Sequence, residues 1–197
     1  RQRQMCIRDR LTRMVTDASA AMAQPGAGPD IPDTLMDLLM ARLDRLGEAK
    51  WLAQVAAVLG HACERELLQA MAMWSPEAFG AGLAQLQASG LMHTLDRDGQ
   101  HWTFKHALVA DTAYASLALR VRHRLHARVA DHLMQNLGDV AATPWERIAH
   151  HLTQAGRPLQ AAQAWWSAAQ VALSQGAPRE AEAHLRACLL YTSDAAD

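Results

Sequence analysis

The chain has 197 residues, with 19 Lys and Arg side chains against 20 Asp and Glu. This near-neutral balance argues against a surface built throughout to neutralise phosphates, and an apolar content of 50% excludes a disordered chain. The three cysteines lack the spacing of a disulfide framework, so a reducing compartment, the cytoplasm, is expected. No apolar run approaches the roughly 18 residues that a membrane span needs, so we expect no membrane partner.

Both ends of the chain look foreign to the fold. Residues 1–10 and 188–197 resemble a translated sequencing adapter read from opposite strands. Met5–Asp9 can be encoded by ATG TGT ATA AGA GAC. Cys188–Thr192 can be encoded by TGT CTC TTA TAC ACA, which is contained in the reverse complement of the first string with its next bases. We therefore expect the native protein within residues 11–187, with genuine charged tails as the alternative.

The first half of the chain shows helical periodicity interrupted by breaker residues. A helical pattern over Leu11–Met22 precedes a Pro- and Gly-rich loop over Gln24–Asp30. Four further helices follow, the first from a leucine stripe at spacings of three and four residues. In the fourth, Ser75 is the predicted N-cap and Pro76 the first helical residue. The predicted helices are Leu35–Leu46, ending at Gly47, then Trp51–Leu59, Glu64–Met73 and Ser75 to about Gly90.

The hydrophobic period changes to two after Gly90. Leu91–Leu95 and His101–Lys105 flank an Asp-Gly turn signal at Asp98 and Gly99, which predicts a β-hairpin. A helix from about Ala107 to Leu119 follows it directly. Three helices, a hairpin and a flanking helix are the pattern of a winged-helix module.

The remainder of the chain is predicted to be entirely helical. A shift of 34 residues aligns Pro144 with Pro178 and His150 with His184, which is the tetratricopeptide period. Thr143–Glu146 reads as a capping box with Pro144 at the first helical position. The expected fold is therefore mainly α, a winged helix with one small hairpin followed by tetratricopeptide-like antiparallel helices. These helices are Val121–Leu137, Pro144–Gln154, Pro158–Ser174 and Pro178–Ala187.

Motifs for catalysis and metal binding are lacking in the sequence. There is no phosphate loop, dinucleotide fingerprint, nucleophile elbow or zinc-protease motif, so no catalytic residue is assigned. His61, Cys63 and Glu64 could ligate a metal, but no second pair completes a site, so no metal is expected. Four further histidines are predicted to lie on solvated helix faces: His123, His126, His150 and His151.

A single basic cluster could contact an anion or nucleic acid. It comprises Arg120, Arg122, Arg124 and Arg128 on one predicted helix. The third helix of the winged-helix pattern, which would enter a DNA groove, has no Arg or Lys from residue 77 to residue 87. DNA binding is therefore an unfavoured expectation.

Three strings together resemble one protein family. The chain is similar to the region just downstream of the nucleotide-binding domain in bacterial STAND-type signalling ATPases. These are large predicted ATPases, often fused to class III adenylate/guanylate cyclase domains, kinases or LuxR-type regulators. The similarity covers about Leu11–Ala187 and is carried by Ile31–Leu35 with Ala41–Leu46, by Ala56–Gly60 and by Phe104–Tyr114.

The resemblance implies a domain order and a set of partners. It implies that residues 11–46 end the helical lid of an ATPase and link it to a winged helix at 47–120 and repeats at 121–187. The partners it implies are the upstream P-loop ATPase domain of the same chain and a protein bound by the repeats. ATP or ADP with magnesium would belong to the parent protein, and this fragment would bind no cofactor of its own.

One histidine matches a family motif for nucleotide sensing. His106 resembles the winged-helix histidine that contacts the β-phosphate of ADP in related STAND switches. The string from Lys105 keeps that histidine and the later Asp111, but it has Ala107 where the motif has Asp. A histidine that only caps its own helix is the alternative.

Two functions from different classes follow. The first is a non-catalytic regulatory fragment of a STAND ATPase, whose winged helix gates the nucleotide state while the repeats receive a signal or bind a partner. The second is a fragment of a DNA-binding winged-helix transcriptional regulator.

Overall fold

The computed structural model describes residues 33–135 and 142–193. The chain divides into two compact units, residues 1–38 and residues 39–197. The predicted helix over Leu11–Met22 and the loop over Gln24–Asp30 lie outside the described residues, as do residues 1–10. The fold described below concerns the second unit, apart from the first turns of helix α1.

The described residues are mainly helical and contain one small antiparallel sheet. Within this part of the chain no helix is both long and apolar enough to cross a lipid bilayer. In chain order the elements are α1 (Asp33–Asp44), α2 (Ala49–Leu59), β1 (Ala62–Glu64), α3 (Arg65–Ala72), α4 (Pro76–Ala88), β2 (Met92–Thr94), β3 (His101–Phe104), α5 (Ala107–Ala115), α6 (Leu119–Gln135), α7 (Trp145–Gln154), α8 (Pro158–Ser174) and α9 (Pro178–Ser193).

Local sequence signals set several helix ends. The Ser75 hydroxyl accepts a hydrogen bond from the Ala78 amide at 3.3 Å, as an N-cap before Pro76 should. Three helices end in a Schellman motif, in which a glycine with positive φ allows two backbone amides to reach back to the last carbonyls. The glycines are Gly90, Gly156 and Gly176, with φ of 68°, 70° and 74°.

The predicted hairpin is confirmed, and a third strand joins it. β3 lies in the centre of the sheet and pairs antiparallel with both β2 and β1. The residues of β1 carry no strand pattern of their own, so this strand depends on pairing with β3. The loop between β2 and β3 is longer than a two-residue Asp-Gly turn. The Asp96 carboxylate closes it by accepting hydrogen bonds from the amides of Gln100 and His101, at 2.8 and 3.1 Å.

Several predicted boundaries differ from the structure. The helix predicted from Ala107 to about Leu119 ends at Ala115, and Leu119 begins α6. Helix α7 begins at Trp145, so Pro144 occupies the N-cap position and not the first helical position. Helix α9 continues past Ala187 to Ser193, through residues that were assigned to the adapter-like end. A helical conformation does not identify the origin of those residues, so their adapter origin stays a prediction.

Helix α6 contributes to two hydrophobic cores. Leu125 and Val129 pack into a large core shared with α2, α3, α4, α5 and the sheet. Ala130, one residue further, packs into a smaller core formed with α7 and α8. The helices after α6 pack in sequence, α6 on α7, α7 on α8 and α8 on α9. Because both cores include α6, this helix fixes the helix–hairpin module against the C-terminal helices.

Two glycines on α4 provide a matched test of the larger core. A Cβ added at Gly82 would lie 2.5 Å from Leu52 Cδ1 and 2.9 Å from the Trp74 ring, whereas a Cβ at Gly80 meets nothing within 4 Å. Alanine in a helix is favoured over glycine by about 1 kcal/mol, but overpacking costs about 1–3 kcal/mol. We expect Gly80→Ala to raise the free energy of unfolding in urea and Gly82→Ala to lower it. Equal effects at the two positions would contradict the packing described here.

Candidate functional site

A cleft of about 800 Å³ opens where the helix–hairpin module meets the C-terminal helices. Its floor includes the turn after α2 and one face of α5, and its opposite wall is formed by α7 and α8. The polar side chains that line it are those of His61, Asp111, Tyr114, His126, Glu146, Arg147, His150, His151 and Gln154, and the Trp165 ring closes one side. This concentration of titratable groups makes the cleft the candidate site.

Three of these side chains form a hydrogen-bonded chain that links three helices. The Tyr114 hydroxyl on α5 lies 3.1 Å from Nε2 of His126 on α6. Nδ1 of His126 lies 2.8 Å from Nδ1 of His151 on α7. Both histidines are 2% exposed, so these contacts are removed from water. This hydrogen-bonded series of Tyr114, His126 and His151, called the histidine chain below, thus connects α5, α6 and α7 across the boundary between the two cores.

The contact between the two imidazoles requires a single shared proton. A neutral histidine carries one N–H and one lone pair, so one Nδ1 donates and the other accepts. If His126 donates to His151, its Nε2 accepts from the Tyr114 hydroxyl. If His151 donates instead, Nε2 of His126 donates to the Tyr114 oxygen. Either arrangement satisfies the hydrogen bonds of this chain, whereas a fully protonated pair would place two N–H groups against each other.

Burial and nearby positive charge keep both rings neutral. Burial, followed by the positive charges of His150, His123 and Arg122, lowers the pKa of His126 to about 4. Burial also lowers the pKa of His151 to about 3, again with contributions from its histidine neighbours and Arg147. His150, at the rim of the cleft, has a pKa lowered chiefly by burial, although Glu146 opposes the shift. The buried pair is therefore a neutral hydrogen-bonding element near pH 7.

The prediction of solvated faces is wrong for His126 and His151. His126 follows Leu125 and lies three residues before Val129, and His151 lies between Ile148 and Leu152, so both histidines occupy the buried stripes of their helices. The apolar spacing could have indicated this position, but the neighbouring arginines obscured it. His123 and His150 lie on exposed faces, as predicted, although the cleft partly covers the His150 ring.

The cysteine and the acidic residue near the cleft are engaged in the fold. Cys63 is buried in β1, and burial raises its pKa to about 12, so the thiol stays protonated. Glu64 accepts from Arg147 Nη1 at 3.2 Å, an ion pair between β1 and α7. Among the described residues no group of three or more His, Cys, Asp or Glu side chains is arranged to hold a metal ion.

The predicted arginine cluster separates into two kinds of residue. Arg122 donates to the Leu117 and Ala115 carbonyls at 2.9 and 2.8 Å and lies 4.7 Å from the Tyr114 ring centre. Arg128 reaches the Ala70 carbonyl at the end of α3, at 3.4 Å. Arg120 and Arg124 are exposed and border a shallow depression together with His123. The four arginines therefore do not form one binding surface.

His106 stands at the N-cap position of α5 with an exposed side chain. Its backbone is extended, with φ of −141° and ψ of 138°, and its ring makes no capping hydrogen bond. Its carbonyl accepts from the Val109 amide at 3.0 Å, which begins the helix. The side-chain cap considered as the alternative role is therefore not formed. His106 does not line the histidine cleft, so the structure does not bring these two candidate features together.

Comparison with known proteins identifies one distant relative and no family. No protein-family model matches the chain, and neither does any solved structure. An uncharacterized protein of Rhizobium meliloti (strain 1021) is 27% identical to it over 165 residues. That similarity covers 83% of this chain but spans only 16% of the relative's length.

The buried pair predicts a stability that falls in acid. A histidine whose folded pKa lies below its unfolded value of 6.5 binds its proton more readily when unfolded. The stability due to neutral His126 and His151 is therefore complete above about pH 7 and is lost progressively as the pH falls from about 6.5 towards the folded pKa values of about 4 and about 3. In that range each histidine should lower the free energy of unfolding by up to about 1.4 kcal/mol per pH unit.

Urea unfolding at pH 7.5 and pH 5 measures this linkage. The His151→Asn substitution replaces the imidazole by an amide, which still forms hydrogen bonds but does not titrate. We expect it to reduce the difference in unfolding free energy between the two pH values. His93→Asn, at an exposed position on β2, is the matched control and should keep the wild-type pH dependence. An identical pH dependence in His151→Asn and the wild type would show that the pair is not the titrating element.

The two kinds of arginine predict different responses to truncation. Arg122→Ala removes two charge-assisted hydrogen bonds and a cation–π contact, so it should lower the free energy of unfolding by about 1–3 kcal/mol. Arg124→Ala, on the exposed face of the same helix, should change it by less than about 0.5 kcal/mol. Urea unfolding at pH 7.5 compares the two variants, and equal losses would contradict a structural role specific to Arg122.

Proposed function

We propose that this chain is a non-catalytic regulatory part of a multidomain STAND-type signalling ATPase of the cytoplasm. In this proposal a winged helix at residues 47–120 gates the nucleotide state of an upstream P-loop domain. Tetratricopeptide-like helices at residues 121–187 receive a signal or bind a partner protein. ATP or ADP with magnesium would be bound by the parent protein, since the chain has no phosphate loop.

The order of the elements supports the winged-helix part of the proposal. Helices α2, α3 and α4 precede the β2–β3 hairpin, and β1, which lies between α2 and α3, pairs with that hairpin. Helix α5 follows the hairpin immediately and packs on α2. Because β3 is held between two strands, the hairpin is fixed to the helices and the start of α5 is fixed with it.

The helices after α6 support the repeat-like part. Each packs on its neighbour in the chain, and three-residue turns around Gly156 and Gly176 join α7, α8 and α9. Prolines follow both turns, at Pro158 and Pro178, where the missing N–H costs nothing. This sequential packing is the arrangement that stacked helical repeats require.

The histidine chain is the observation that carries the proposal. Its three polar side chains form hydrogen bonds with one another across α5, α6 and α7. These hydrogen bonds join the helix–hairpin module to the C-terminal helices. A module that transmits a change from one part of a protein to another needs such a fixed connection, and a two-state element can then be biased by a ligand bound elsewhere. The small share of the Rhizobium relative covered by the chain fits a module within a much longer protein.

The exposed side chain of His106 supports a role in nucleotide sensing. It lies at the start of α5, where backbone N–H groups and the helix dipole favour an anion, and its ring is free of a capping bond. The DNA-binding alternative has less support, because α4 carries no Arg or Lys and Arg122 and Arg128 are bonded to backbone carbonyls.

Nucleotide binding by the full-length parent tests this function. The open reading frame that contains the chain should encode a phosphate loop upstream of residue 11, and the expressed protein should bind ADP in a calorimetric titration. His106→Ala should weaken ADP binding at least about tenfold, which corresponds to one charge-assisted hydrogen bond to phosphate.

His93→Ala is the matched control, because His93 is an exposed histidine on β2 of the same module. It should leave the ADP affinity unchanged. Unchanged affinity in His106→Ala would remove the sensor role alone, whereas the lack of an upstream ATPase domain in the reading frame would overturn the whole proposal.

A further inference from the structure

Helix α8 buries alanines and leaves three large apolar side chains exposed. Its six buried residues are all alanines, and they pack against α7 and α9. Trp165 is partly buried, but three other large apolar side chains point outward, with Leu159 66% exposed, Trp166 52% exposed and Leu173 57% exposed. Single exposed apolar residues are ordinary on a protein surface, but three on one helix face constitute a patch that another surface can cover.

The three exposed side chains form one line along the helix. They recur every seven residues, close to two turns, so each lies above the last with a drift of only about 20°. The stripe from Leu159 to Leu173 is therefore about 21 Å long at 1.5 Å per residue. Such a stripe has one exposed apolar side chain in every two turns, so a second helix laid along it would meet all three.

The electrostatics of α8 favour a second copy of this chain as the partner. None of its 17 residues is charged, and the polar residues beside the stripe are neutral glutamines, Gln163 and Gln170 among them. In a two-fold contact every residue near the axis meets its own copy, so a charged helix would repel itself. A charged partner would find no opposite charge on α8 to pair with, whereas an identical uncharged helix meets no repulsion.

We propose that α8 is a self-association surface, on which two copies of the chain pair their α8 helices antiparallel. The stripe is symmetric about its midpoint, with leucines seven residues before and seven residues after Trp166. An antiparallel two-fold contact therefore brings Trp166 close to the axis and sets Leu159 opposite Leu173 of the partner subunit. Trp166 is the central anchor, and the leucines complete the contact at both ends.

The size of the stripe predicts a weak dimer. A standard interface takes about 800 Å² from each partner, and one helix face about 21 Å long supplies less than this. The dimer should therefore form at high protein concentration and dissociate on dilution.

Sedimentation velocity of the full chain over a range of concentrations tests for the dimer. We expect a reversible monomer–dimer equilibrium whose dissociation constant rises at least about tenfold in Trp166→Gln. Leu119→Gln is the matched control, because Leu119 is 63% exposed at the start of α6, away from this helix, and it should leave the equilibrium unchanged. A chain that stays monomeric at every concentration, or equal effects of the two substitutions, would overturn the proposal.

Disulfide trapping tests the antiparallel geometry, and it also decides the question if Trp166→Gln fails to fold. In a background with Cys6→Ser and Cys188→Ser, Leu159→Cys and Leu173→Cys are prepared as separate variants and oxidised alone or mixed. The mixture should form a covalent dimer, and each variant alone should not. Cross-linking of either variant with itself, or no cross-linking in the mixture, would overturn the proposed pairing.

Discussion

One shared proton between two buried imidazoles governs the joint between the two parts of this chain. His126 and His151 lie with Nδ1 atoms 2.8 Å apart, and both rings are almost completely removed from water. The contact forms only while one proton lies between the two Nδ1 atoms, so it is lost when both rings are fully protonated. Because the Tyr114 hydroxyl contacts His126, this hydrogen bonding extends to α5 and adds a polar link to the packing that already holds α5, α6 and α7 together.

This constraint acts at the helix that both cores share. On α6, Leu125 and Val129 belong to the core of the helix–hairpin module, whereas Ala130 belongs to the core of the C-terminal helices. His126 lies between these residues, at the boundary of the two cores. A buried polar contact has directional requirements, so it selects one placement of α7 on α6 at some cost in stability.

Much of the fold could be predicted because its signals are local. The helix over Pro158–Ser174 was predicted to the residue, since a proline begins it and Gly176 ends it. Strand β1 was missed because only its pairing with β3 makes it a strand. The buried histidines were misplaced for a related reason. Helix α6 is buried on two sides. Its arginines suggest solvent exposure, but Arg122 and Arg128 donate hydrogen bonds to backbone carbonyls of other helices. The candidate site depends on contacts across 12 and 25 residues, and no local pattern contains them.

The alanine face of α8 has a mechanical consequence. Alanine has no side-chain rotamers, so a contact made of alanines cannot absorb a displacement by switching a torsion angle. Alanine–alanine contacts also allow helix axes to approach to about 8 Å, where backbones are nearly in touch. On the α8 side, most of the contacts with α7 and α9 therefore lack side-chain torsions that could absorb a displacement. A shift of α7 at the histidine contact would therefore move α8 as a whole, because its buried alanines cannot change rotamer to accommodate the shift.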